Sequence, residues 1–161
     1  MSTVGGNEKR RAARIKFRPA ENLGVRYKFL SHVEQYQCDK IFPGLVHNLS
    51  KGGMLFTGPI PGPEWLPRLG EGRILIGLNL VVPDGSRPIK ALASLRWCRP
   101  SPEHRPGQLH PPYDLGVQFE QLEPEHRSNL SKFLIGVQIR TRKFNRRELL
   151  EDGFGPGSMP S

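Results

Sequence analysis

Apolar and polar positions alternate most clearly over residues 74–81, where Ile74, Ile76, Leu78 and Leu80 take every second place between Leu75, Gly77, Asn79 and Val81. A period of two puts one set of side chains on one face of an extended strand. Pro83-Asp84-Gly85 supplies a turn. The alternation then resumes as Ile89, Ala91, Ala93, Leu95 and Trp97, and again as Tyr113, Leu115, Val117 and Phe119. Residues 23–33, rich in Val, Tyr and Phe, predict an earlier strand. Residues 44–50 and 53–57 are two short apolar runs parted by Gly52-Gly53, which predicts a hairpin or a bulge. Two segments dense in Gly and Pro, 58–72 and 99–112, predict loops.

The period changes after Pro124, a residue suited to the first turn of a helix. Leu130, Phe133, Leu134 and Val137 follow at helical spacing, so one helix with one apolar face is predicted, continuing to about Leu150. Six or so short strands followed by one helix predict an antiparallel barrel or sandwich, the helix lying on the sheet or closing the barrel's end. Residues 1–8 and 153–161 are small, polar or Gly/Pro-rich, and are expected to be disordered tails.

Composition narrows the class. The 161 residues suit one domain, and Gly and Pro together supply about a fifth of them, a turn-rich but foldable content. The sequence shows no apolar run of about 18 residues and no secretory pattern near residue 1, so neither a membrane span nor export is expected. Cys38 and Cys98 stand sixty residues apart with no zinc spacing, so no metal is expected and a reducing cytoplasm is the expected location. No nucleophile–base pair or paired-carboxylate motif stands out around the five histidines, and no enzyme is expected.

Charge sharpens the picture. The net charge is +9, and residues 1–30 hold eight basic residues against two acidic ones. An anionic partner reached by the N-terminal segment would exploit that asymmetry. Within it, Lys9-Arg10-Arg11-Ala12-Ala13-Arg14 places two arginines four apart. Arginine's planar fork pairs with phosphate or with the O6/N7 edge of guanine, and its flat face stacks on purines. A second feature, Asn48-Leu49-Ser50-Lys51-Gly52-Gly53, sets two hydrogen-bonding side chains on one face beside two glycines that admit a ligand to the backbone. The third is Leu95-Arg96-Trp97 with Tyr113-Asp114-Leu115-Gly116-Val117-Gln118-Phe119; its tryptophan is either core or a base-stacking surface. Each is also an ordinary feature taken alone: a solvated arm, a polar turn, a core aromatic.

Together, in this order and spacing, the three resemble a PilZ domain over residues 8 to about 137. The R-x-x-x-R segment of that family matches Arg10 to Arg14, its [D/N]-x-S-x-x-G motif matches Asn48, Ser50 and Gly53, and its G-V-x-F-like strand matches Gly116 to Phe119. The resemblance implies a six-stranded antiparallel β-barrel with a C-terminal helix that binds cyclic di-GMP. Lys9, Arg10, Arg11, Arg14, Asn48, Ser50, Gly52, Gly53 and Trp97 are the implied ligand contacts, with Arg11 on phosphate and basic Lys9 favouring a stacked ligand pair. Asn48 stands where Asp is commoner, and a neutral amide accepts through one oxygen only.

The implied organisation is a tail at 1–8, the domain with its arginine arm at 9–137, and a basic helical extension with a tail at 138–161. The expected mechanism is a mobile arm, residues 8–18, that orders over the ligand and signals to a protein partner in motility or biofilm control, with no cofactor and no DNA. A nucleic-acid-binding small barrel and a PilZ-like adaptor that binds only protein are the alternatives.

Overall fold

The structure, a computed structural model, describes residues 15–16, 23–82 and 88–148, of which 141–148 are described as backbone only. Lys9, Arg10, Arg11 and Arg14, the two expected tails, the turn at 83–85 and the expected helix end at Leu150 lie outside the described residues.

Seven strands and two α-helices make up the described chain: β1 Ile15–Lys16, β2 Gly24–Ser31, β3 Phe42–Leu49, β4 Gly53–Gly58, α1 Leu66–Gly70, β5 Ile74–Val81, β6 Ile89–Pro100, β7 Tyr113–Gln121 and α2 Pro124–Glu148. All pairings are antiparallel. They run β2–β5–β6–β7–β4–β3 and return from β3 to β2, which closes a six-stranded barrel. Closure leaves these six strands without a free edge.

Alternation builds the interior. Val25, Tyr27 and Phe29 point inward from β2, Ile74, Ile76, Leu78 and Leu80 from β5, and Met54 and Phe56 from β4, all buried. Tyr27 sits among Phe29, Phe42 and Phe56 with ring centroids 4.8–5.8 Å away, and its hydroxyl donates to the carbonyl of Pro59. Desolvation holds that phenol neutral, far above its ordinary titration range. Each large apolar side chain buried in this way contributes about 1.5–3 kcal/mol.

Three elements differ from the sequence expectation. The segment 58–72 is not all loop: it contains a 3-10 turn, Pro63–Trp65, and α1. Pro63 and Pro67 stand in first-turn positions, where a missing N–H costs nothing. Trp65 and Leu69 are buried in the core, and Trp65 packs beside Phe29 and Tyr36. Strand β6 runs on to Pro100, into the expected loop, because Arg99 and Pro100 still pair with Asp114 and Tyr113. Ile15 and Lys16, expected within a mobile arm, form β1 by pairing with Leu49 and Asn48 of β3. There β3 has run past its last partner on β2, Leu45↔Gly24.

Helix α2 meets the prediction closely. Leu130, Leu134 and Val137 are buried and Phe133 packs beside them, which seats the helix against β6 and β1. Among the described residues no helix is long and apolar enough to cross a membrane.

Candidate functional site

Two bulges shape one part of the barrel's outer wall; a third register shift, at Leu92/Ala93, lies farther along the β6–β7 ladder. The first is in β3, where Val46 pairs with Phe56 and Asn48 with Leu55, leaving His47 unmatched. Val46 and Leu49 stay buried, so His47 and Asn48 both face outward. The second is in β6, where Leu95 pairs with Val117 and Trp97 with Gly116, leaving Arg96 unmatched. One extra residue inverts the faces of everything beyond it. Strict alternation would bury Trp97 with Leu95; the bulge instead turns Trp97 outward, 43% exposed, and Cys98 inward against the core. Of the two readings of Trp97, core and surface, the structure selects the surface.

Close backbone approach shapes the rest. A Cβ on Gly53 would lie 2.2 Å from the carbonyl oxygen of Val117 on the neighbouring strand, so only glycine fits there. A Cβ on Gly116 would lie 2.4 Å from the Trp97 indole, so the ring lies against bare backbone. The β3–β4 turn is closed by Ser50 N–H donating to the Gly53 carbonyl at 2.9 Å, and by Gly52 N–H donating to Ser50 Oγ at 3.2 Å. Phe119 N–H donates to the Gly52 carbonyl at 2.8 Å, tying the turn to β7.

The result is a concavity of about 460 Å³ across β3, β4, β7 and β6, lined by Asn48, Ser50, Gly52, Gly53, Trp97 and Gly116 together with Arg96 and Gln118. Five sequence-selected residues from two distant stretches, 48–53 and 97, therefore share one surface. The volume is within the range of small-molecule sites. The lining combines a half-exposed indole for stacking, an amide and a hydroxyl for polar groups, and glycines that bare the backbone. Arg96 and Gln118 stand inside the third sequence feature but not among its implied ligand contacts; Arg96 becomes a rim residue only through the bulge it creates. The short β1 sets Lys16 opposite Asn48, which brings the N-terminal segment to the rim of this concavity.

Cys98, behind the site, has its thiol pushed up to about 11, first by burial and then by the negative charge of Asp114. Among the described residues no group of three or more His, Cys, Asp or Glu is arranged to hold a metal ion.

Comparison with known proteins bears on the family and the fold. The family profile described as PilZ domain matches residues 8–136. No curated protein sequence matches. Among solved structures, the chain is similar to the PilZ domain, with c-di-GMP, of YcgR from Escherichia coli, at 13% identity and TM-score 0.56, over 85% of this chain and 97% of that one. It is similar to the MrkH–c-di-GMP complex of K. pneumonia at 13% identity and TM-score 0.58, over 83% of this chain and 54% of that one. The Bacillus subtilis inhibitor of motility MotI/DgrA gives 16% identity and TM-score 0.54, over 82% and 52%. At these identities the likeness is one of fold. The chain spans about half the length of MrkH and MotI.

Proposed function

The chain belongs to the PilZ domain family, and we propose from that premise that it is a receptor for cyclic di-GMP whose liganded surface is read by a protein partner in motility or biofilm control. The observation that carries this reading is the single concavity in which the bulges and close-packed glycines assemble Asn48, Ser50, Gly52, Gly53 and Trp97.

The ligand presents two phosphate charges and two purines, so a site must supply cations, flat apolar surface and directed polar groups. Trp97 offers the flat surface; stacking of a base on an aromatic ring contributes about 1–3 kcal/mol. Asn48 and Ser50 offer hydrogen bonds to base edges. Arg96 lines the described wall and Lys16 stands at its rim, and the arm adds further cations. Arg10 and Arg14 take guanine edges or phosphates through their planar forks, Arg11 takes phosphate, and Lys9 adds positive charge that favours a second stacked ligand.

The register of β1 supports that assignment. Ile15 pairs with Leu49, so the chain is anchored one residue after Arg14 and beside the residue that precedes Ser50. Anchoring shortens the segment that must be ordered by the ligand. Ordering costs on the order of 1–2 kcal/mol per residue, and charge-assisted hydrogen bonds return about 1.5–3 kcal/mol each. The function is binding and relay, and no residue is assigned a catalytic role.

Calorimetric titration with cyclic di-GMP tests the reading. The wild-type chain is expected to bind with an affinity that falls as salt rises, while Arg14→Ala and Ser50→Ala each weaken binding at least tenfold. Unchanged affinity in both variants removes those residues from the site, and no heat from the wild-type chain removes the function.

A further inference from the structure

Next to the nucleotide site lies a second concavity of about 590 Å³, lined among others by His47, Thr57, Arg99, Glu103 and Asp114 and sharing Leu55 with the first. Asp114 is nearly buried, at 7% exposure. Its Oδ1 accepts from the Thr57 hydroxyl at 2.7 Å, and its Oδ2 accepts from Arg99 Nε at 3.4 Å. Thr57 Oγ1 also lies 2.5 Å from His47 Nε2. A hydroxyl has one proton, and here it is given to the carboxylate, so His47 Nε2 must be the protonated nitrogen, donating to Thr57. The order of donation is therefore His47 to Thr57 to Asp114, with the carboxylate at the end of a directed chain.

Arg99 meets that carboxylate from the opposite side. Its guanidinium carbon lies 5.0 Å from the centroid of the Trp97 ring, over the ring. The pairing explains the geometry: Arg99 is opposite Asp114 and Trp97 opposite Gly116, so all four project to one outer face. The Arg99 side chain is 67% exposed and the Asp114 side chain 10%. An ion pair so open on one side does little for fold stability. It does decide where a long, many-rotamer side chain spends its time.

We propose that Asp114 is a positioning residue for the nucleotide site: it holds Arg99 over Trp97, so that the stacking surface carries a fixed cation. The inference rests on the cyclic di-GMP reading and deepens it, since the stack of indole and guanidinium then meets a purine and a phosphate from one side of the site. Asp114 acts only through Arg99, and this gives the test its form.

The experiment is a double-mutant cycle read by two signals. Calorimetry measures cyclic di-GMP affinity for the wild-type chain, Asp114→Asn, Arg99→Ala and the double variant. Asparagine keeps the shape and still accepts from Thr57. Asp114→Asn is expected to weaken binding about tenfold in the wild-type background and less than twofold in the Arg99→Ala background. Equal losses in both backgrounds, or no loss in either, overturn the proposal. Acrylamide quenching of tryptophan fluorescence without ligand is the second signal, and Trp97 dominates it because Trp65 is buried. Asp114→Asn and Arg99→Ala are each expected to raise the quenching constant about twofold, with nothing added in the double variant. Quenching that is unchanged by Asp114→Asn overturns the positioning role even where the ligand binds. If the quenching pattern holds but the wild-type chain gives no heat, the positioning stands and the ligand assignment falls. Should Asp114→Asn fail to fold, Thr57→Val withdraws the carboxylate's other support, and the same dependence on Arg99 is required of it.

Discussion

The two walls of the barrel are built from the same antiparallel pairing but follow different rules. On one wall β2 pairs with β5 over eight consecutive residues, and β5 with β6 over six, with no shift of register. On the other wall the β3–β4 and β6–β7 ladders that flank the candidate site each carry a bulge, while β4–β7 between them stays in register. That wall also contains Gly53 and Gly116, each pressed against a neighbour where no Cβ fits. The regular wall places its apolar side chains by simple alternation and supplies stability. At the two bulges beside the site this wall gives up regular pairing, and it gains outward-facing Asn48 and Trp97 beside a backbone laid bare. In this barrel the proposed recognition surface lies where the alternation breaks.

Substitutions on the two walls sharpen this contrast, and the largest effect belongs to the regular wall. Ile76→Ala removes a fully buried side chain and is expected to lower stability by about 2–5 kcal/mol in urea unfolding. The fraction still folded should bind ligand with unchanged affinity. Gly53→Ala drives a methyl into the Val117 carbonyl and should cost about 1–3 kcal/mol while also abolishing binding, because the turn and the site share that backbone. Trp97→Ala should weaken binding about 10- to 100-fold, as loss of one base stack predicts, with the thermal midpoint nearly unmoved for so exposed a ring. The reactivity of Cys98 tests the charge behind the site. With its pKa raised to about 11, alkylation at pH 8 should run about a hundredfold slower than for an unperturbed thiol, and Asp114→Asn should quicken it by removing a charge that opposes the thiolate. Gly52→Ala is the smallest: nothing stands within 4 Å of its missing Cβ, so stability should change by less than about 0.5 kcal/mol. A large effect there would break the distinction between adjacent glycines.

How far each part was legible follows from the same contrast. Strands β5 and β7, the hairpin at Gly52-Gly53 and the apolar face of α2 are local patterns, and the sequence states them directly. The barrel was reached through the order of three motifs, and the family profile bears out the family; that Asn48, Ser50, Gly53 and Trp97 share one concavity is seen only in the folded chain. Trp97's outward face was not legible, because the extra residue at Arg96 leaves no mark in a list of apolar and polar letters. The helix inside 58–72 was hidden by its prolines, which read as breakers until Trp65 and Leu69 are seen to be buried. The contact of His47, Thr57 and Asp114 joins three strands through a register that only the closed sheet sets. Arg99 had a faint signal, two places after Trp97 on an alternating strand.

The flat seat of the indole depends on a single residue, Gly116. Any β-carbon at that place would evict the ring, so one letter on β7 states whether a tryptophan across the ladder lies down as a platform or must stand away from the sheet. In this chain a residue larger than glycine at position 116 would leave Trp97 without that seat.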